Sequence, residues 1–438
     1  MMKRAIYFFL FTATLFTVSS CKQKKPLIDD AEVLHQNQDQ LTEIIIYDTF
    51  SPPVASRIYA YSSLASYEAM RFANPGYESF APKLKGFKAL PVPEKGKSYN
   101  YTLAASKAFF TVVHKVVFSL DSLKDYEDNL YSSFKSNLDD STYQRSVAFG
   151  EAIGNVILER ADRDNYKSSR GKQKYLGSHE DGKWRPTAPD YLDAVEWCWG
   201  SMDGLLLDSA TLASNLPDPV KYSLHPQSDY FKEISELYKV TSNLTKEQKD
   251  IARFWDDNPF VIEHHGHMMY ADKKITPGGH WMGITAIACK KTKADPAKTS
   301  QAYAAAAIAM YDAFICCWDL KYKYSTVRPI TVINEKIDSK WQPLLQTPPF
   351  PEYPSGHSTI TRAAATVLTK MFGDNFEFED TSDEKYIGMK RSFKSFIQAA
   401  NEASISRFYG GIHYRFSLDE GSKEGKKVGD TVIEKLSL

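Results

Sequence analysis

Three short clusters near the C-terminus combine residue types that together bind a tetrahedral oxyanion such as phosphate. In chain order they are Lys321 with Arg328-Pro329, Pro354-Ser355-Gly356-His357, and Ser406-Arg407 with His413. The oxygens of such an ion accept forked and charge-assisted hydrogen bonds from lysine and arginine. A serine hydroxyl, a glycine that lets the backbone approach and two histidines complete the set. The clusters therefore predict an oxyanion pocket with acid–base groups beside it.

Each cluster also has a plain structural interpretation when it is taken alone. Lys321 and Arg328 are seven residues apart at the end of an alanine-rich helix, where basic residues complement the helix dipole. Ser355 follows a proline-rich approach and begins a helix, so it is either an ordinary N-cap or part of an anion site. The third cluster contains paired glycines that suit a connector. The three clusters together favour the pocket.

In this order and spacing the clusters resemble the signature of the superfamily of type 2 phosphatidic acid phosphatases and vanadium haloperoxidases. The signature is K-x6-R-P, P-S-G-H and S-R-x5-H-x3-D, and the resemblance covers roughly residues 318–419. It implies an all-α fold of helical bundles around a vanadate or phosphate site. It also implies that the ion is held by Lys321, Arg328, Ser355, Gly356 and Arg407, with His413 bonded to its central atom and His357 acting as acid and base.

One position departs from that signature. The final aspartate would fall at position 417, where this chain has Ser417, with Asp419 two residues later. In the phosphatases this carboxylate orients the nucleophilic histidine. The spacing of Ser417 and Glu420 fits a capping box, so we expect Ser417 to begin the last helix. The missing carboxylate disfavours efficient phosphatase turnover.

Two aromatic residues favour the haloperoxidase branch of the superfamily. Trp318 and Phe350 match side chains that line the halide side of haloperoxidase pockets, although ordinary core packing is the alternative for both. The segment from Phe254 to Trp281 also looks like the haloperoxidase members. The leading hypothesis is a vanadate-dependent haloperoxidase that oxidises iodide or bromide with hydrogen peroxide.

In this hypothesis vanadate is the cofactor and the catalytic residues are His357, His413 and Lys321, with Lys321 polarising the peroxide. The first alternative is a periplasmic acid phosphatase, in which His413 attacks a phosphomonoester and His357 protonates the leaving alcohol. The second alternative is a non-catalytic lipoprotein that binds an oxyanion. Both histidines argue against it, because an anion binder needs only the cations.

Composition and periodicity describe the elements that must position these residues. The 438 residues are 43% apolar, and 54 basic residues balance 54 acidic ones, so nucleic acid is disfavoured as a partner. Apolar residues recur every three or four positions, which predicts an all-α protein. We expect helices over about 53–72, 102–119, 141–165, 245–257, 295–320, 355–372, 383–407 and 418–436.

The helices fall into two predicted regions. Residues 41–244 form an N-terminal helical region with a long irregular segment over about 166–230, rich in glycine and proline, that we expect to cover something. Residues 245–438 form the catalytic helical-bundle domain. Nothing in the sequence specifies the oligomeric state.

The N-terminus has the features of a bacterial export signal. Residues 1–20 combine two basic residues with an apolar run, and the residues before Cys21 resemble a lipobox. Cys21 would carry lipid and residues 21–40 would form a tether, so we expect an exported protein anchored to a bacterial membrane, periplasmic or at the cell surface. A plain secretory signal or an uncleaved anchor is the alternative. The four other cysteines lack metal-site spacing, which predicts buried thiols.

Overall fold

In the computed structural model the regular secondary structure of the described residues is almost all helix, with few strands, which confirms the predicted all-α class. The described residues are 29–207, 217–259, 261–265, 268–271 and 273–438, without the side chains of residues 262–272. The predicted signal peptide and Cys21 lie outside the described residues, so the lipid anchor stays a prediction.

The helices of the N-terminal half have side-chain caps at most of their starts. The side chains of Ser51, Asn100 and Asp139 each accept a hydrogen bond from a backbone N–H three residues later. The helices are Asp30–Tyr47, Pro52–Met70, Tyr101–Val116, Asp121–Asn137, Asp140–Ala161 and the single turn Tyr166–Ser169, with 3-10 turns at Arg71–Ala73 and Ala81–Lys83. Pro52–Met70 is buried along its whole length, which makes it the centre of this half.

The first helix corrects the predicted tether. Residues 30–40 were expected to belong to a polar tether, yet they form the first turns of the Asp30–Tyr47 helix. Leu34 is buried, and Asn37 donates from Nδ2 to Ser106 Oγ at 2.9 Å. The prediction is wrong because several polar side chains of this stretch face the interior, where they bond to other helices.

The irregular segment is present where it was predicted. The described residues between 170 and 228 form turns and extended chain, with a 3-10 turn at Trp199–Ser201. The buried carboxylate of Asp312 accepts the backbone N–H groups of residues 205–207 at 2.7 to 2.9 Å. Asp312 belongs to the central helix of the protein, so these bonds attach the long connection to that helix. They also satisfy buried backbone N–H groups that have no partner in a helix or sheet.

That central helix is Pro296–Tyr324. Asp295 caps it by accepting from the N–H of Lys298 at 2.8 Å, and Pro296 occupies the first position, where its missing N–H costs nothing. Within the described residues it is the one helix long and apolar enough to cross a membrane, but 94% of its most apolar stretch is buried inside the protein. Such burial is typical of a core helix.

The central helix packs against Pro52–Met70 of the N-terminal half on one side and against helices of the C-terminal half on others. Thr245 and Gln248 form a capping box at the start of the Lys246–Phe254 helix. The other helices of the C-terminal half are Asp229–Thr241, Pro277–Thr292, Pro329–Lys336, Gly356–Phe372, Glu384–Ile387, Phe396–Tyr409 and Arg415–Leu436. Two antiparallel strand pairs accompany them, Ile262–His265 with Met268–Ala271 and Phe378–Asp380 with Arg391–Phe393.

The prediction of a single helix over residues 383–407 is wrong. The chain forms one helical turn, Glu384–Ile387, then a strand, and begins a second helix only at Phe396. Gly388 ends the turn in the left-handed region with φ 67°, where glycine is favoured. Ser395 caps the second helix by accepting from the N–H of Gln398 at 3.0 Å.

One hydrophobic core joins the two predicted regions. The same cluster contains Ile58 from the first region and Ile308 and Val428 from the second, so the boundary expected near residue 245 does not divide the core. The last helix packs on Gly356–Phe372 through glycines. A Cβ on Gly425 would lie 2.1 Å from the carbonyl oxygen of Thr359, so the two helix backbones are nearly in contact.

Candidate active site

Lys321 is fully buried in the last turn of the central helix. Its Nζ donates to the backbone carbonyl oxygens of Pro351, Glu352 and Pro354 at 2.9, 3.0 and 2.5 Å. Burial lowers the pKa of Lys321 to about 7, while the three carbonyl dipoles favour its charged form. These bonds join the first cluster to the proline-rich approach of the second.

Arg328 is the N-cap residue of the Pro329–Lys336 helix and is also fully buried. Its Nε donates to the carbonyl oxygen of Phe350 at 2.8 Å, and its Nη1 donates to that of Ile412 at 2.8 Å and to His413 Nε2 at 3.1 Å. Nη2 is buried and has no hydrogen-bond partner in the described part of the chain. One charged donor therefore stays available to a ligand.

Arg407 reaches the same place from the Phe396–Tyr409 helix and is 1% exposed. Its Nη1 donates to the carbonyl oxygen of Trp255 and to His357 Nε2, the latter at 2.9 Å. Its Nη2 lies 3.8 Å from Asp256 Oδ1. Its Nε is buried without a partner among the described residues, so the second guanidinium also keeps a donor free.

The start of the Gly356–Phe372 helix supplies backbone donors. The hydroxyl of Ser355 caps this helix and accepts from the N–H and the hydroxyl of Ser358 at 3.4 and 2.9 Å. The N–H groups of a first helical turn have no acceptor within the helix and attract anions. A Cβ at Gly356 would lie 3.6 Å from the Trp318 ring, so a side chain would occupy the space before these donors.

His413 is held as a neutral imidazole. Its Nδ1 lies 2.7 Å from Glu352 Oε1, and Arg328 donates to its Nε2. Because a guanidinium can only donate, Nε2 carries the lone pair and Nδ1 carries the proton that Glu352 accepts. Burial, and then the charges of Arg328 and Lys321, lower the pKa of His413 well below its usual value. Its Nε2 lone pair is thus the group offered to a ligand.

His357 has the same arrangement with other partners. Its side chain is 17% exposed, and Nε2 accepts from Arg407 and lies 3.7 Å from Asp257 Oδ2. Burial, and then the charges of Arg407 and His280, lower its pKa well below the usual value. His357 is therefore a neutral base with its lone pair on Nε2.

Glu352 is a site residue that sequence reasoning missed. It is fully buried, and besides binding His413 its Oε1 accepts the backbone N–H of Tyr414 at 3.1 Å. Burial raises the pKa of Glu352 to about 7, while Arg328 and Lys321 act to lower it. The only sequence signal was an acidic residue among prolines, directly before the second cluster.

Ser417 does not begin the last helix, so that expectation is wrong. The helix starts two residues earlier, at Arg415. The N–H of Arg415 bonds to Glu233 Oε2 at 3.0 Å, so a carboxylate from another helix provides the cap that Ser417 was expected to provide. Ser417 is buried, and its carbonyl oxygen accepts the N–H of Ser355 at 3.1 Å. Asp419 is exposed and does not replace the missing aspartate.

A buried group of one histidine and three aspartates lies behind His357. His280 Nδ1 is 3.0 Å from Asp257 Oδ1, and Nε2 is 3.0 Å from Asp380 Oδ2. Burial opposes a charge on this ring, but the two aspartates raise the pKa of His280 well above its usual value. With Asp383, the ligand atoms of His280 and Asp257 lie within 4.8 Å of one another, close enough for a metal. In the imidazolium form each nitrogen of His280 donates to an aspartate, so both nitrogens have partners without a metal ion.

Trp318 and Phe350 line the cavity that His357 and His413 share. Their ring centroids are 4.9 Å apart, and Pro52 and Phe314 extend the same apolar wall. Trp318 Nε1 donates to the carbonyl oxygen of Val195 at 3.1 Å. The irregular segment therefore helps to fix one wall of the cavity, and its role as a cover stays a prediction.

The structure brings together all the predicted residues of the pocket, from four helices or their caps, the turn that holds His413 and the proline-rich approach that holds Phe350. Sequence reasoning missed Glu352, Asp257 and His280. Asp257 and His280 lie in the segment whose general resemblance was noted, but no spacing linked them to His357. A contact between distant segments has no local pattern.

Comparison with known proteins agrees with this arrangement. The family model of the VCPO second helical-bundle domain matches residues 301–437. The vanadium-dependent bromoperoxidase of Corallina officinalis is 32% identical over 103 residues, which are 21% of this chain and 17% of that protein. The match thus spans less than a fifth of the curated relative.

The fold and the pocket together define a helical-bundle protein that binds an oxyanion. A solved structure, described as the first bacterial vanadium-dependent iodoperoxidase, is 44% identical, covers 94% of this chain and 98% of its own, and has a TM-score of 0.87. The chain therefore belongs to the vanadium-dependent haloperoxidase family, whose cofactor is vanadate. A holo-type bacterial vanadium-dependent chloroperoxidase, 17% identical over 93% of this chain and 97% of its own with a TM-score of 0.68, shares the fold.

Proposed function

We propose that this protein is a haloperoxidase that uses vanadate to oxidise halide ions with hydrogen peroxide. The observation that carries the proposal is the pair of neutral histidines, His357 and His413, each with its Nε2 facing a buried guanidinium in one cavity. Simple anion binding needs no such bases. The family of the chain and its resemblance to an iodoperoxidase support the same activity.

The donor set fits vanadate. Arg328 Nη2 and Arg407 Nε are buried donors without partners in the described residues, and such groups are unfavourable unless a ligand accepts from them. Vanadate would be held by Arg328, Ser355, the N–H of Gly356, Arg407 and His413 Nε2, and Lys321, whose three N–H groups bond to carbonyl oxygens, would contribute its charge. When bound, it supplies a Lewis acid that activates peroxide without changing its own oxidation state.

His357 moves the proton. Because it is neutral near pH 7, its Nε2 accepts one proton from hydrogen peroxide. It then returns this proton to the oxygen that leaves as water. A second proton, taken from solvent, completes the water: the halide loses two electrons, peroxide gains two, and halide, peroxide and one proton give hypohalous acid and water. Asp257, held by the His280 imidazolium, keeps a carboxylate oxygen 3.7 Å from this base.

Lys321 and the aromatic wall favour a soft halide. Lys321 Nζ lies 5.1 Å from the ring centroid of Phe350 and 5.8 Å from that of Trp318. A cation behind apolar rings attracts an anion but offers it few hydrogen bonds. The halide that is least strongly hydrated therefore loses the least hydration free energy when it enters the cavity. We infer iodide as the first substrate and bromide as the second, with Lys321 polarising the peroxide.

A phosphatase remains the second candidate because of Glu352. Its bond to His413 Nδ1 gives the nucleophile of the alternative mechanism the carboxylate partner that position 417 lacks. In that reaction His413 would attack the phosphorus of a phosphomonoester and His357 would protonate the leaving alcohol. The same pocket suits both, because a phosphoryl-transfer transition state and vanadate share shape and charge.

Parallel assays separate the two candidates. Metal-free protein is measured for peroxide-dependent iodide oxidation with and without orthovanadate, and for hydrolysis of an aryl phosphate. We expect iodide oxidation that requires vanadate, and negligible phosphate release. Phosphate release that vanadate inhibits, without halide oxidation, would establish the phosphatase instead.

We also infer that the protein is exported and anchored through lipid on Cys21, on the sequence pattern alone. Expression in a bacterial host and membrane fractionation test this inference. The full chain should sediment with membranes, and Cys21→Ser should appear in the precursor form without lipid label. Equal labelling of the two proteins would exclude Cys21 as the lipid site.

A further inference from the structure

We propose that Glu352 is a positioning residue that fixes His413 for bonding to vanadate, in the role that the superfamily signature gives to an aspartate at position 417. The inference rests on the proposed function, because it concerns how the same pocket binds its oxyanion. It adds a residue from outside the three sequence clusters.

The contacts of Glu352 fix both the proton and the orientation of the histidine. Its Oε1 lies 2.7 Å from His413 Nδ1 and also accepts the N–H of Tyr414, the next residue in the chain. One oxygen therefore holds the ring and the backbone that carries it. With the proton kept on Nδ1, the lone pair stays on Nε2, which faces Arg328 in the pocket.

Ser417 lies close to the proline-rich approach, so a carboxylate on that approach can take the place of the signature's aspartate on the last helix. Ser417 lies on the last helix, and its carbonyl oxygen accepts the N–H of Ser355, three residues after Glu352, at 3.1 Å. Ser417 is buried and Asp419 is exposed. The proline-rich approach thus places a carboxylate beside the position from which an aspartate of the signature would reach His413.

Charge alone predicts the opposite effect on anion binding. Glu352 is a fully buried carboxyl between Lys321, which donates to its carbonyl oxygen, and the histidine that Arg328 contacts. A negative charge here repels any oxyanion in the pocket. If Glu352 acted only through charge, its neutral replacement would tighten the binding of vanadate and phosphate alike.

The test is the binding of vanadate and of inorganic phosphate to purified wild-type protein and Glu352→Gln, measured by calorimetry. Vanadate can bond to a histidine nitrogen, whereas phosphate without turnover uses the surrounding donors. We expect Glu352→Gln to weaken vanadate binding by about 10- to 100-fold, the usual effect of losing such a partner, and to leave phosphate binding unchanged or tighter. In His413→Ala the preference for vanadate should vanish.

A second variant moves the carboxylate back. Glu352→Ala with Ser417→Asp should recover most of the vanadate affinity that Glu352→Ala loses, while Glu352→Ala with Ser417→Asn should not. Equal weakening of vanadate and phosphate in Glu352→Gln would mean a merely structural role and would overturn the inference, as would unchanged vanadate affinity. Failure of the wild-type protein to bind vanadate would instead reject the proposed function.

Discussion

Two histidines with the same proton arrangement have different neighbours, which suit them to the different tasks that we propose. His413 is enclosed between Glu352 and Arg328 and is 3% exposed, which suits a permanent ligand. His357 is more exposed and lies beside Asp257, which suits a group that gains and loses a proton. In both rings Nε2 accepts from an arginine, so the lone pair is in place before any substrate arrives.

His357→Ala should separate proton transfer from cofactor binding. We expect the rate of iodide oxidation to fall by about 100-fold or more, the usual contribution of a general acid–base group, with vanadate affinity changed little. His413→Ala is the matched variant and should lose vanadate binding itself. Steady-state kinetics and calorimetry distinguish them, and full activity in His357→Ala would remove the residue from the mechanism.

Arg407→Ala should weaken vanadate binding by roughly 1.5–3 kcal/mol, the value of a hydrogen bond to a charged group, because its Nε is a free buried donor. Arg407→Lys should recover only part of the loss, since lysine lacks the planar fork. Arg145, which donates to the carbonyl oxygen of Ser98 away from the pocket, supplies the control. Equal affinities in the Arg407→Ala and Arg145→Ala proteins would place Arg407 outside the anion site.

Helix starts and close helix contacts position the pocket. The proline-rich approach holds Lys321 by its carbonyls and ends at Ser355, which begins the helix that offers backbone donors. The last helix presses on that helix, where a Cβ on Gly421 would lie 2.8 Å from the carbonyl oxygen of Ser355. This contact therefore fixes the position of the helix start that provides the backbone donors of the pocket.

Gly425→Ala tests this packing. The added methyl group would lie 2.1 Å from the carbonyl oxygen of Thr359 and 2.9 Å from Cβ of Arg362, so the helices must separate. We expect the free energy of unfolding to fall by about 1–3 kcal/mol in urea denaturation, as for other overpacked sites. At Gly171 a Cβ meets nothing within 4 Å, so Gly171→Ala should change little. Equal stability of both variants would contradict the packing argument.

The elements that the sequence predicted well are those with a local signal. The central helix has a capping aspartate, a proline at its first position and a long apolar run, and the capping box at Thr245 is equally local. The Asp30–Tyr47 helix escaped prediction because its buried face includes His35, Asn37 and Gln38, which are polar.

Within the site, the cations and both histidines carried a signature, whereas the partners of those histidines did not. Glu352 and His413 are 61 residues apart, and Asp257 lies 100 residues from the histidine that it approaches. Only the fold brings such pairs together, because helix periodicity describes faces and says nothing about which faces meet.

At the scale of the whole molecule, one large hydrophobic core joins both predicted regions, and the described residues form two smaller clusters besides it. Helices from both predicted regions bury their side chains in a single cluster, and the pocket lies between them. This core also encloses Glu424, which is fully buried, and within the described residues neither of its carboxylate oxygens has a hydrogen-bond partner. A buried carboxyl of this kind makes stability depend on pH.

Burial raises the pKa of Glu424 to about 7 from a usual value near 4.5. The folded protein thus favours the protonated form, so this contribution to stability is complete below pH 4.5 and is lost as the pH rises through 7. Glu424→Gln stays neutral, and its unfolding free energy relative to wild type should rise by about 1–3 kcal/mol between pH 5 and pH 8. Parallel pH profiles of the two proteins in urea denaturation would contradict this assignment.

The most direct test of the account is a crystal structure of the protein grown with orthovanadate, with anomalous data collected at the vanadium absorption edge. We expect one strong anomalous peak within bonding distance of His413 Nε2. The oxygens around it should accept hydrogen bonds from Arg328 Nη2 and Arg407 Nε. A pocket without vanadium, or vanadium bound only elsewhere, would contradict the claim that these residues form a vanadate site.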